Sequence, residues 1–308
     1  MLRFVLLPPL FMTRLRADLL LFVVALIWGS AFVSQNLGMA AVGPLTFTGT
    51  RFLLGALVVL PLALRERAVR MNNCAPLDAH DARIIGALGV LLFLGAWLQQ
   101  IGIVTTTVTN AGMLTALYVP LVPLLSLLLL RQRPHWVIWP AAAGSVAGTW
   151  LLTGANALAL NAGDLWVIAS SLFWAGHVIL VGHAATHRAG PFTVACGQFL
   201  VVGVIASTLA LTSEPLAWDA LRAAAGPIAY AGILSVGIGF TGQVVGQRHT
   251  PAADTAIILS METAFAALFG AWWLGERLTA VGIAGCVAIF VSILAVQIVP
   301  LIGSPRSG

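Results

Sequence analysis

Asp18 to Gly38 reads DLLLFVVALIWGSAFVSQNLG, and Asp164 to Ala184 reads DLWVIASSLFWAGHVILVGHA. Each opens on Asp-Leu and continues for twenty residues without Asp, Glu, Lys or Arg. A helix rises about 1.5 Å per residue, so a run of that length crosses the roughly 30 Å hydrocarbon core of a bilayer. The likeness extends outward from this pair. Trp28 and Trp174 each stand ten residues after the opening Asp. Pro44-Leu45-Thr46 corresponds to Pro191-Phe192-Thr193, and Phe52-Leu53 to Phe199-Leu200. Leu129-Leu130-Arg131-Gln132-Arg133 parallels Trp273-Leu274-Gly275-Glu276-Arg277. The offset stays between 144 and 147, so the chain is two copies of one unit.

Composition sets the solvent. Of the 308 residues 60% are hydrophobic and 8% charged, where a soluble domain carries about 25% charge. That excludes an ordinary soluble enzyme. The net charge of +5 comes from 15 Arg and no Lys, spread too thinly for a phosphate-binding stripe, so no nucleic-acid partner is expected. Cys74, Cys196 and Cys286 form no paired motif, and no metal or cofactor motif is present. Ten apolar stretches read as spans: 19–38, 44–64, 84–104, 108–130, 136–153, 164–184, 191–211, 226–247, 253–274 and 279–299. Backbone amides in lipid must pair internally, so these are helices, and no alternating strand pattern suggests a barrel. The expected fold is an all-α integral membrane protein of ten transmembrane helices in two inverted five-helix repeats. Its parts are an N-terminal segment 1–17, a first repeat 18–153, a linker 154–163, a second repeat 164–299 and a tail 300–308. The longest connection is 65–83. Residues 1–11 carry Pro8-Pro9 and are too short to span, and Met12 is read as the start.

With the N-terminus inside, twelve arginines fall on one side (3, 14, 16, 65, 67, 70, 83, 131, 133, 188, 248, 306) and two on the other, Arg222 and Arg277. That bias puts both termini in the cytoplasm, in the inner membrane of a cell. Five spans per copy is odd, so the second copy enters the bilayer in the opposite sense. Inverted repeats are the architecture of secondary transporters, which move two halves about a central site.

Ala25-Leu26-Ile27-Trp28-Gly29-Ser30-Ala31-Phe32, Pro44-Leu45-Thr46 followed by Thr50 to Ala56, and Leu274-Gly275-Glu276-Arg277-Leu278 together resemble the drug/metabolite transporter superfamily in its EamA-type branch. Within it the chain looks most like the aromatic amino-acid exporters. The resemblance covers Asp18 to Val299. It implies a central cavity lined mainly by spans 1, 3, 4, 6, 8 and 9, and export of small metabolites, amino acids and amphipathic drugs among them. Two positions depart from the pattern: Arg131-Gln132 stands where Gly-Glu is usual, and Thr263 follows Glu262 where Pro often stands.

Charges and amides at bilayer depth are costly and mark function or tight pairing. Glu262, midway along the ninth span, is a site for a proton or a substrate amine, or a packing residue. Arg51 reads as structural, since its span should be peripheral and its repeat mate Gln198 is uncharged; an anion site is the other reading. Trp28 and Trp174 are expected to face each other across the cavity as flat, cation-attracting walls. Gln35 and His177 share their faces at helical spacing. Trp97 and Gln100 on the third span, Tyr118 on the fourth, and Phe240 and Gln243 on the eighth complete the candidate substrate-binding set. Aromatic walls with uncharged hydrogen-bonding groups suit a hydrophobic or aromatic amino acid. Pro120 and Pro123 should kink the fourth span, and Gly237, Gly239, Gly242 and Gly246 should soften the eighth. Gly144-x-x-x-Gly148 fits either packing of the fifth span on the tenth or a homodimer. Partners are a small-molecule substrate and the lipid bilayer; proton coupling and the choice between monomer and homodimer stay open. The rival class, a membrane-embedded enzyme, would need a nucleophile–base cluster that the sequence does not offer.

Overall fold

The computed structural model describes residues 12–72, 77–152, 161–185, 190–277 and 279–302. Residues 1–11, most of the 154–163 linker and the tail beyond 302 lie outside the described residues. Those described form helices α1 (Arg14–Met39), α2 (Pro44–Asn72), α3 (Ala79–Ile103), α4 (Val108–Thr115), α5 (Tyr118–Leu130), α6 (Ile138–Leu152), α7 (Ala162–Ala185) and α8 (Pro191–Ser213). After them come α9 (Trp218–Ala223), α10 (Ala225–Tyr230), a π-helix (Ala231–Phe240), α11 (Thr241–Gly246), α12 (Ala252–Leu259), α13 (Met261–Leu274) and α14 (Ala280–Ile302), with no strand among the described residues. Nine stretches are long and apolar enough to cross a membrane. The expected fifth span corresponds to α6, 15 residues long. Nine spans, rather than ten, therefore reach bilayer length among the described residues.

The sequence explains where the helices end and break. Arg65 to Arg70, read from sequence as loop, continue α2 through Asn72, because Leu, Arg, Glu and Ala are strong helix formers. The fourth span breaks between α4 and α5. Pro120 has no N–H and its ring would clash with the Ala116 carbonyl, so the chain turns there, Val119 N–H bonding Ala116 O at 3.0 Å. The ninth span breaks at the matching position, Ser260, without any proline. The Ser260 hydroxyl donates to Ile257 O at 2.6 Å and its amide to Ala256 O at 3.1 Å. The eighth span runs as a π-helix through Gly232, Gly237 and Gly239, a form that concentrates at functional sites.

α2 packs on α8, α3 on α7 and α6 on α14, each pairing one half with the other. α1 leans on α13 and the π-helix, and α7 on α3 and α5, so the two Asp-Leu helices stand in the middle. Gly144 and Gly148 let α6 approach α14, a Cβ at Gly148 standing 2.6 Å from Gly285 O. This favours the helix-packing reading of that motif over the dimer. Phe47, Phe52 and Phe199 are fully buried, whereas Leu57, Leu129, Leu211 and Val287 face outward. Trp136, Trp218, Trp272 and Trp273 are exposed at or beside helix ends, as in an interfacial aromatic belt.

Helix starts in lipid leave amides that need acceptors. Here the acceptor comes from the other half. Glu214, after α8, accepts from the Leu45 and Thr46 amides at 2.8 Å and from the Thr46 hydroxyl at 2.7 Å. Glu66, late in α2, accepts from the Thr193 amide and hydroxyl at 2.7 Å. Gly43 and Gly190 leave the space these carboxylates fill, since a Cβ on either would collide with them. Glu276 caps α4 in the same way through Val108, Thr109 and the Thr109 hydroxyl. Replacing Glu214 by Ala is expected to cost about 2 kcal/mol, the upper end of an N-cap's contribution. It should appear as a lower melting temperature in detergent, with Glu66→Ala matching it. Asp219→Ala, which removes only an exposed pair with Arg222, should leave the melting temperature unchanged.

Candidate functional site

A cavity lies between α1, α7 and their neighbours, lined by residues from both halves. The repeat offset organises its wall. Trp28 faces it with its mate Trp174, Phe32 with Val178, Gln99 with Gln243, Thr115 with Leu259, and Tyr118 with Glu262. Gln35, Arg51, Ser235 and Phe240 complete the lining without a mate in it. The cavity therefore sits on the pseudo-two-fold axis, where both repeats reach the same point.

Phe240 stands between the tryptophans. Its ring stacks on Trp174 at 5.8 Å between centroids and 13°, and lies 4.6 Å from Trp28 at 47°. The two indoles thus do not face each other directly, because the position matching Phe240 in the first half holds only Ala96 and one ring fills the middle. Each indole rests on a glycine. A Cβ at Gly239 would stand 2.6 Å from Trp28 Nε1, and one at Gly95 3.1 Å from Trp174 Cδ2. Trp28 Nε1 donates to Ser235 O at 3.1 Å, a carbonyl of the π-helix. The open space left among the rings is about 40 Å³, room for about one water. In this conformation the cavity is too small for an amino-acid-sized molecule.

Seven of the ten sequence-chosen residues line the cavity: Trp28, Gln35, Tyr118, Trp174, Phe240, Gln243 and Glu262. Three stand behind or beside it. His177 is buried and tied through Nε2 to Gln198 Oε1 at 2.8 Å, with Trp174 and Phe240 lying edge-on to its ring. Trp97 stacks on Phe93 at 12°. Gln100 is fully buried, but the cavity is faced by its neighbour Gln99, whose Nε2 donates to Thr115 Oγ1 at 2.8 Å. Spacing from Trp97 selects Gln100; the repeat offset from Gln243 selects Gln99. Arg51 corrects the expectation of a peripheral second span, since α2 brings it to the cavity wall.

The polar inventory is small. Gln243 Nε2 donates to Gln247 Oε1 at 3.0 Å, and Gln247 Nε2 to Val178 O at 2.9 Å. The Tyr118 phenol neighbours the Glu262 carboxyl. Among the described residues of the wall, Gln35 Oε1, Arg51 Nε, the Tyr118 hydroxyl, Trp174 Nε1 and Gln243 Oε1 are buried without a hydrogen-bond partner, and other such atoms lie away from it. Buried polar groups are nearly always paired, so these wall atoms can take a polar partner that enters the cavity. No group of three His, Cys, Asp or Glu side chains among the described residues could hold a metal ion.

A model of the EamA-like transporter family matches residues 15–154 and again residues 161–297. The chain belongs to that family. The double match coincides with the internal repeat, and the family is one of membrane transporters. A protein of Archaeoglobus fulgidus named as an uncharacterized transporter is 27% identical over 92% of this chain and 87% of its own length. The transporter YwfM of Bacillus subtilis is 24% identical over 92% of this chain and 94% of its own. The threonine/homoserine exporter RhtA of Escherichia coli is 27% identical over 85% of this chain and 84% of its own. A solved crystal structure, 19% identical, superposes on 95% of this chain and all of that one with a TM-score of 0.74, so the fold is shared.

In this EamA-family transporter, the approach of α1 to α13 depends on Gly29. A Cβ there would stand 2.7 Å from the Glu262 carbonyl oxygen and 2.9 Å from the Ala266 amide nitrogen. Gly29→Ala is expected to cost about 1–3 kcal/mol through overpacking and to lower the melting temperature. Gly86 is the control, because a Cβ placed there would meet nothing within 4 Å. Gly86→Ala should raise stability by up to about 1 kcal/mol through helix propensity.

Proposed function

We propose that this EamA-family protein exports small amphipathic metabolites, amino acids foremost, across the inner membrane, with both termini in the cytoplasm. The observation that carries the reading is the cavity on the pseudo-two-fold axis, walled by Trp28, Phe240 and Trp174 and edged by Gln35, Gln99 and Gln243. Flat apolar walls with a few hydrogen-bonding groups bind a solute that is apolar on one side and polar on the other. Parting of the two halves opens the cavity to one face of the membrane and then to the other. The name of the RhtA relative, a threonine/homoserine exporter, supports amino acids as the class. The aromatic walls favour hydrophobic and aromatic members of it. No covalent step is involved, so the protein acts as a transporter and not as an enzyme.

Export of flat organic cations is a second reading, since stacked aromatic rings beside Glu262 attract cations. Arg51 in the same wall weighs against it.

Purified protein in liposomes loaded with radiolabelled phenylalanine, leucine or threonine distinguishes the two. Saturable flux that Trp174→Ala slows by about tenfold, a loss of about 1.4 kcal/mol of binding or barrier energy, is the expected result. Flux of methylated aromatic cations with none of any amino acid would transfer the assignment to the second reading.

A further inference from the structure

The cavity is not symmetric where its charges lie. Arg51 is 4% exposed and Glu262 is 4% exposed, and both line the same wall. Among the described residues no carboxylate comes within ion-pairing distance of Arg51, Glu262 included. The guanidinium rests instead over the rings of Phe47 at 5.4 Å and Phe52 at 5.2 Å, and its Nε has no partner. A cation buried without an anion is expensive in lipid and persists where function holds it.

The repeat explains why no imidazole meets the guanidinium as one meets its mate. In the second half the matching position is Gln198, and His177 fills the space before it and bonds it at 2.8 Å. The residue that matches His177 in the first half is Ala31. A methyl group offers no polar partner, and Arg51 lines the cavity. The other pole arises by the same divergence. Tyr118 and Glu262 are repeat mates and neighbours, and only the second carries a carboxyl group. One half thus supplies a guanidinium and the other a carboxyl group, at separate points of one cavity.

We infer that Arg51 and Glu262 are the two poles of a site for a zwitterion: Arg51 takes an α-carboxylate, Glu262 with Tyr118 takes an α-ammonium, and the side chain lies against Trp28, Phe240 and Trp174. This rests on the amino-acid reading above and narrows it to solutes that carry both charges. A simple amine leaves Arg51 unpaired and a simple acid leaves Glu262 unpaired, and each then bears the desolvation cost of the uncompensated pole. Arg serves better than Lys, because its planar fork meets both oxygens of a carboxylate.

Phenylalanine counterflow in proteoliposomes, with phenethylamine and 3-phenylpropionate as competitors, tests the inference. For the wild type, phenylalanine should compete at least tenfold better than either analogue lacking one charge. Arg51→Gln should raise the KM for phenylalanine at least tenfold and leave competition by phenethylamine unchanged or improved, with Arg51→Lys intermediate. Glu262→Gln should do the converse, sparing 3-phenylpropionate. Wild-type competition by either analogue equal to that of phenylalanine overturns the inference without any variant having to fold. So does a Glu262→Gln protein with unchanged KM but no accumulation against a proton gradient, which makes Glu262 a proton carrier. Phenylalanine flux with wild-type KM in both variants overturns the inference and leaves the exporter reading standing. Absence of any amino-acid flux in the wild type, beside flux of a cationic drug, defeats both.

Discussion

A helix that starts at bilayer depth exposes amides that water cannot reach, and this chain satisfies those of three helices across its own repeat. Glu214 closes the start of α2 and Glu66 the start of α8, so neither half completes its helices without the other. The contacts bring together the same groups in both places, a carboxylate and a Gly-Pro-x-Thr start, as the symmetry requires. Glu276 repeats the device at α4. The fourth position breaks the rule: Gln132 stands where Glu276 stands in the other copy. There the first turn of α12 holds Asp254, which pairs with Arg14, while Thr250 donates to Asp18 at 2.6 Å. On the opposite side Thr106 donates to Asp164 at 2.5 Å in the matching contact. The two faces of the molecule are therefore closed by related but chemically different sets of bonds.

The same pattern of symmetry kept and symmetry broken builds the cavity. Kept positions supply its shape: paired tryptophans on paired glycines, paired glutamines, and paired breaks at Ala116 and Ser260 that turn Tyr118 and Glu262 toward the axis. Broken positions supply its chemistry. Phe240 against Ala96 puts one ring in the middle, Glu262 against Tyr118 adds a carboxyl group, and Arg51 with Ala31 against Gln198 with His177 leaves a guanidinium with no carboxylate beside it among the described residues. A perfectly symmetric pair of repeats would bind a symmetric ligand. Divergence at a few wall positions turns the axis into a polar site with two distinct ends.

Much of this is legible in the chain. Run length locates the spans, and the recurrence of Asp-Leu, Trp and Gly-Pro-x-Thr exposes the duplication. Span by span, reading the helices then finds half of the cavity wall. It fails where a single helix is read without its mate. Taking Trp97 as the reference favours Gln100, whereas the offset from Gln243 points at Gln99. Arg51 reads as peripheral because its span is the one held against α8, yet a long side chain on the inner edge of α2 still reaches the axis. The break at Ser260 has no proline to announce it, and only its correspondence with Ala116 carries the signal. The π-helix is a matter of hydrogen-bond register among several glycines, which composition suggests as softness and cannot resolve further.

Where the solute sits decides between a two-pole site and a cavity that merely packs. An experimental structure of the full chain in a lipid nanodisc with phenylalanine bound tests this most directly. The prediction is density between Arg51 and Glu262, with the Phe240 ring moved off Trp174 and the amino acid's side chain in its place. Phenylalanine bound elsewhere, with Trp28, Phe240 and Trp174 still stacked and Arg51 still without an anion, would contradict it.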